Sequence, residues 1–146
     1  MKNLLLALTT IFLLGNCSLE KAQEITPEMN KIDGKWNLAK IVVGFRPPDG
    51  IPEFKPTYVE ILEFSSTKKT FSRTKDGQIV ESSNFKITDL AEFGVNTKRA
   101  AIVFEKDNTY SFYSFSENPN YLILNQKAPI GATLADGNIF FYEKMQ

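Results

Sequence analysis

From Trp36 to Glu143 the chain is a succession of short runs rich in aromatic and β-branched residues, each ended by a turn signal. Such runs are strand patterns, because these side chains pack well on a pleated, half-buried surface. They fall at 36–43, 58–64, 69–74, 78–81 continuing to 84–87, 100–105, 110–115, 121–124 and 138–143. The dipeptide Asp-Gly recurs at 33–34, 49–50, 76–77 and 136–137, and it favours the left-handed backbone that tight hairpins need. Lys75-Asp76-Gly77-Gln78 is the best hairpin candidate, and Asp107-Asn108 and 117–120 mark further turns. No segment carries a useful apolar period of 3.6. About eight strands with short connections predict an all-β domain, an antiparallel meander closed into an eight-stranded barrel. A two-sheet β-sandwich is the alternative, because periodicity does not separate the two. A short helical turn is expected ahead of the first strand. Thr26 would cap it, Pro27 is the first helical residue and Glu28 is an acid in the first turn.

The opening residues read differently. Lys2 precedes an apolar run, Leu4 to Leu14, that leads into Gly15-Asn16-Cys17. A basic start, a short apolar stretch and a small-residue boundary make a secretory signal, and the run is too short to span a bilayer. Leu14-Gly15-Asn16-Cys17 resembles the lipobox of bacterial lipoproteins. That resemblance implies that residues 1–16 are a signal peptide and that Cys17 is acylated as the mature N-terminus. Residues 17–25 would then be the acylated cysteine and a polar tether, and 26–146 the folded domain. Two or more acyl chains hold a protein stably where one does not. Loss of Lys2 would leave 16 Lys+Arg against 17 acids, so the acyl group rather than charge is the membrane partner. The expected location is the bacterial envelope, with Ser18 after the cysteine favouring the outer membrane.

Gly34-Lys35-Trp36 opens the first strand directly after the helical turn. This resembles the Gly-x-Trp start of the lipocalin superfamily, and most closely the small lipocalin-like domains of bacterial lipoproteins. The resemblance implies that Gly34 and Trp36 form the closed base of the barrel. The late arginine that covers this tryptophan in the family has no counterpart after Arg99. In such a barrel the first connection folds over the open mouth. Here it is the segment 45–56, which holds four of the seven prolines together with the apolar residues Phe45, Ile51 and Phe54. Proline lacks the ladder donor, so this segment is a candidate lid or partner-contacting loop.

Phe71, Phe85, Phe104, Phe112 and Tyr121 could line a cavity or fill it, since an eight-stranded barrel has room for side chains or for one small ligand. Phe fills small barrels efficiently, which favours filling. Runs apolar on both faces, at 110–115 and 139–142, would mark a partner surface if they left an outward patch.

Chemistry is otherwise sparse. The 146 residues contain no His and one Cys, with 17 basic against 17 acidic residues. This balance argues against a nucleic-acid partner. It also offers no metal-ligand cluster, no disulfide and no nucleophile constellation, so neither a cofactor nor an enzyme is expected. Glu60 and Glu63 lie three apart in a strand and face opposite sides. Glu81, Glu92 and Glu105 look scattered, and Lys68-Lys69 and Lys98-Arg99 read as solvated hairpin ends. The function expected is the binding of a small apolar or amphipathic ligand at the barrel mouth. The second reading is a filled barrel acting as a non-catalytic interaction or structural module of the envelope.

Overall fold

The computed structural model describes residues 27–44, 50, 53–91, 97–116, 120–132 and 134–146. Cys17, Phe45 and Ile51 lie outside these residues, as do the signal and tether. The helical turn is α1 (Pro27–Ile32), with Glu28 in its first turn and Lys31 in its last. The strands follow as β1 (Gly34–Val42), β2 (Glu53–Phe54), β3 (Glu60–Ser65), β4 (Thr70–Lys75) and β5 (Gln78–Ala91). Then come β6 (Lys98–Phe104), β7 (Thr109–Ser116), β8 (Tyr121–Asn125), β9 (Ala128–Pro129) and β10 (Ile139–Lys144).

Neighbouring strands pair antiparallel in the order β10-β8-β7-β6-β5-β4-β3-β1, and β1 pairs back with β10 from Trp36↔Lys144 to Val42↔Ile139. That last pairing closes an eight-stranded barrel and decides it against a sandwich. Two short strands lie off the ring. The proline-rich segment supplies β2, which lies beside β1 with Phe54 opposite Ile41. β9 extends the course of β8 along β7. The Asp76-Gly77 hairpin forms as expected, with φ of 48° and 82° at its two central residues. β5 is one long strand rather than two. Its first half pairs with β4 up to Asn84, and its second half pairs with β6 from Phe85 onward.

Because side chains alternate across each strand, one row per strand faces inward. At one end this interior is filled. Trp36 is 1% exposed among Met29, Ile32, Phe64, Phe85, Ile102 and Leu122. Its ring lies 6.0 Å from that of Phe115, and its Nε1 donates to the Ile32 carbonyl at 2.8 Å, which ties α1 to the base. Lys144 on the last strand reaches over the indole at 4.9 Å and donates to the Asp33 carbonyl at 2.9 Å. Gly34 begins β1 at φ 109°, a conformation that residues with a Cβ rarely adopt.

The outward row of β6 and β7 is also apolar. Tyr110 and Phe112 are buried with Ala101, Val103 and Ala128, and Leu90 packs against them. Arg99 lies over Phe112 at 4.6 Å, and the Tyr110 hydroxyl donates to the Ala132 carbonyl at 2.8 Å. Ala128 and Ala132 of the segment after β8 therefore lie against this face. Arg99 is not simply a solvated end charge.

One buried group in the base is unmatched. Among the described residues, no acceptor meets the Tyr113 hydroxyl. Burial, with smaller effects from Glu28 and Asp89, pushes its phenol up to about 12. A buried hydroxyl without a partner costs about 1–3 kcal/mol, so Tyr113→Phe is expected to stabilise the fold by about 1 kcal/mol. The pH dependence has a definite sign. Below pH 10 folded and unfolded chains both hold the proton. Between 10 and about 12 only the folded chain does, so stability falls as pH rises there. Urea midpoints at pH 7 and pH 11 should show a smaller alkaline loss in the phenylalanine variant. An equal loss would mean that Tyr113 does not carry it.

Candidate functional site

Away from Trp36 the interior opens into a cavity of about 690 Å³. Ile41 and Phe140, paired across β1 and β10, form one wall, and Leu62, Phe71, Phe104 and Leu124 form the floor. Phe54 of β2 stands at the rim, 46% exposed. Asn138 joins the rim elements, because its carbonyl accepts from the Gln126 amide at 2.7 Å and its side chain accepts from Gly44 at 3.4 Å.

Set into this apolar bowl is a group of charged and phenolic side chains. Glu60 shares an inward row with Leu62 and Phe64, while Glu63 points out to Lys35. Glu60 is 5% exposed and accepts a 2.7 Å hydrogen bond from the Tyr142 hydroxyl. Arg73 follows Phe71 inward on β4. Its Nη1 lies 3.7 Å from Glu60 Oε2, and its Nε lies 3.1 Å from Glu81 Oε2. Lys127 forms an ion pair with the other oxygen of Glu81. Its Nζ also sits 3.5 Å above the centre of the Phe104 ring and 5.0 Å from that of Phe71. Nearer the rim, Lys75 lies over Tyr58 at 3.9 Å.

Lys127 reaches the interior through a slip in register. β7 pairs with β8 as Tyr113↔Leu124 but with β9 as Tyr110↔Ala128, so one extra residue is accommodated between them. A bulge of this kind re-aims a side chain. Here the amine is turned toward Glu81, beside the half of β5 that β6 does not cover.

The electrostatics follow from burial. Desolvation lowers the pKa of the Lys127 amine, and Glu81 offsets this only in part. Burial first, then the Glu60 charge, hold the Tyr142 phenol well above its ordinary value. Burial and Glu60 raise that of Tyr58 in the same way. Both phenols therefore stay protonated at neutral pH, and that of Tyr142 donates to Glu60. Among the described residues no three His, Cys, Asp or Glu side chains are placed to hold a metal ion.

Of the residues expected at a site, Phe54, Phe71 and Phe104 line the cavity. Phe85, Phe112 and Tyr121 do not. Phe85 is inward but belongs to the filled part, edge-on to Phe64 at 5.2 Å. Phe112 is outward on β7, and Tyr121 packs outside against Phe141 at 6.0 Å. Gly34 and Trp36 lie at the base. The charged residues Glu60, Arg73, Lys75, Glu81 and Lys127 were absent from the sequence expectation. Inward phase with Leu62 and Phe71 could have singled out Glu60 and Arg73. Nothing in the sequence announces the bulge that brings in Lys127.

Compared with protein-family models, curated proteins and solved structures, the chain has no match.

Proposed function

We propose that the protein is a lipid-anchored, lipocalin-like barrel of the bacterial envelope whose mouth holds one small apolar or amphipathic molecule. The observation that carries the reading is the cavity itself. Its volume of about 690 Å³ lies within the roughly 300–1,000 Å³ typical of small-molecule sites. Its wall combines aliphatic and aromatic side chains with nearly as many charged, amide and hydroxyl groups, a mixture suited to an amphipathic molecule. The lipocalin-like reading draws support from Trp36 packed across the filled base and from Lys144 over its indole, where the family uses an arginine. The anchor rests on the Leu14-to-Cys17 motif.

A second reading, a non-catalytic interaction module of the envelope, is favoured by one observation. Ile79 and Val80, beside the β4–β5 hairpin, are 71% and 51% exposed.

One experiment addresses anchor and carrier together. Cys17→Ser should move the protein from the membrane fraction to the soluble one. Native mass spectrometry of that soluble form should show a bound small molecule that organic extraction removes. A variant that still sediments with membranes overturns the anchor. A released protein that carries no bound mass and takes up no added amphiphile overturns the carrier in favour of the module.

A further inference from the structure

The charge distribution along the cavity specifies the head of the ligand, an inference that rests on the carrier reading. Arg73, Lys75 and Lys127 reach the cavity; Glu60 lines it, and Glu81 stands behind them. Arg73 and Lys127 face Glu60 and Glu81, with Asp107 also acting on Lys127, while the exposed Lys75 adds positive charge at the rim.

The three cations are not equivalent. Lys127 has Glu81 and the Phe104 face, and Lys75 has the Tyr58 face. Arg73 has negative charge nearby but poorly used donors. Its Nε is buried with no hydrogen-bond partner among the described residues, because the Glu81 oxygen 3.1 Å away lies off the N–H direction. The contact to Glu60, at 3.7 Å, is also too long for a hydrogen bond. A guanidinium offers five donors in a planar fork, and the Arg73 side chain lines the cavity. Each carboxylate already has one donor, Tyr142 for Glu60 and Lys127 for Glu81, and the Arg73 cation beside it, so a cationic head would meet like charge there. Directly below Arg73 on the same strand is Phe71, whose ring lies 4.7 Å from that of Phe104.

From this juxtaposition we infer that the barrel selects a single-chain amphiphile with a carboxylate head. The head accepts from the Arg73 guanidinium, and the tail lies on Leu62, Phe71, Phe104 and Leu124. A carboxylate matches the planar fork, and charge-assisted bonds of this type are the strong ones. Lys75, one inward step nearer the rim, adds attraction at the entrance.

Isothermal titration of the full chain with octanoate, octanol and octylammonium, which share one tail, tests this. Octanoate is expected to bind about tenfold more tightly than octanol, the equivalent of one charged hydrogen bond, with octylammonium the weakest. Arg73→Lys keeps the charge but loses the fork, and its fold can be checked by circular dichroism. It should shrink the gap between octanoate and octanol. Octanol binding as tightly as octanoate, a preference for octylammonium, or an undiminished gap in Arg73→Lys overturns the carboxylate assignment and leaves the carrier standing. Failure of all three to bind overturns the carrier and the assignment with it.

Discussion

Trp36→Ala is expected to cost the barrel about 3–5 kcal/mol, the largest loss from any single truncation. The indole is 1% exposed, and three connections end on it. Its Nε1 holds the Ile32 carbonyl at 2.8 Å, Phe115 packs on its ring, and Lys144 lies over it. Its loss opens a cavity beneath α1 and leaves the Ile32 carbonyl without that donor. Whole domains are stable by only about 5–15 kcal/mol, so the variant should unfold at a far lower denaturant midpoint. Trp36→Phe separates the contributions. It retains most of the packing but loses the hydrogen bond, for an expected loss of about 1–2 kcal/mol. Guanidinium titration followed by far-ultraviolet circular dichroism measures both. A cost below about 1 kcal/mol for the alanine variant would show that the base collapses to fill the space.

The second large effect belongs to the charged group in the mouth. Arg73→Met removes the cation between Glu60 and Glu81 and leaves two carboxylates, 6% and 15% exposed, with less compensation. Breaking a fully buried pair costs about 3–5 kcal/mol. The Arg73 side chain is 40% exposed, so water screens part of the interaction and about 2 kcal/mol is expected. Combining Arg73→Met with Glu60→Gln should recover part of that loss, since the neutral amide needs no counter-charge and Glu81 keeps its pair with Lys127. The cycle of variants reports the coupling directly. Were the double variant no more stable than Arg73→Met alone, the cost would lie in lost aliphatic packing of the arginine stem rather than in the Glu60 charge.

How far the sequence reveals this molecule depends on the range of the interaction concerned. Local features were legible. Asp76-Gly77 makes its turn through its own backbone preference, α1 ends before Asp33-Gly34, and Glu60 and Glu63 part to opposite faces because strand periodicity requires it. Closure was not legible as a fact, since the β1–β10 ladder joins residues about a hundred apart and a sandwich would use similar runs. The phase of aromatic strands was ambiguous for a physical reason. β7 reads Tyr110-Ser111-Phe112-Tyr113, apolar on both sides. Only the covering of Phe112 by Leu90, Arg99 and Ala128 determines that it is buried outside the barrel. The site was least legible of all. Its charged and phenolic members come from β3, β4, β5, the β8–β9 bulge and β10, with no local spacing to connect them.

Ring closure has one more consequence. The Met145 amide donates to the Lys35 carbonyl at 2.9 Å, so the chain enters and leaves the barrel side by side at the filled end. The helix α1 sits at that same end, away from the cavity, with Met29 and Ile32 packed on the Trp36 base.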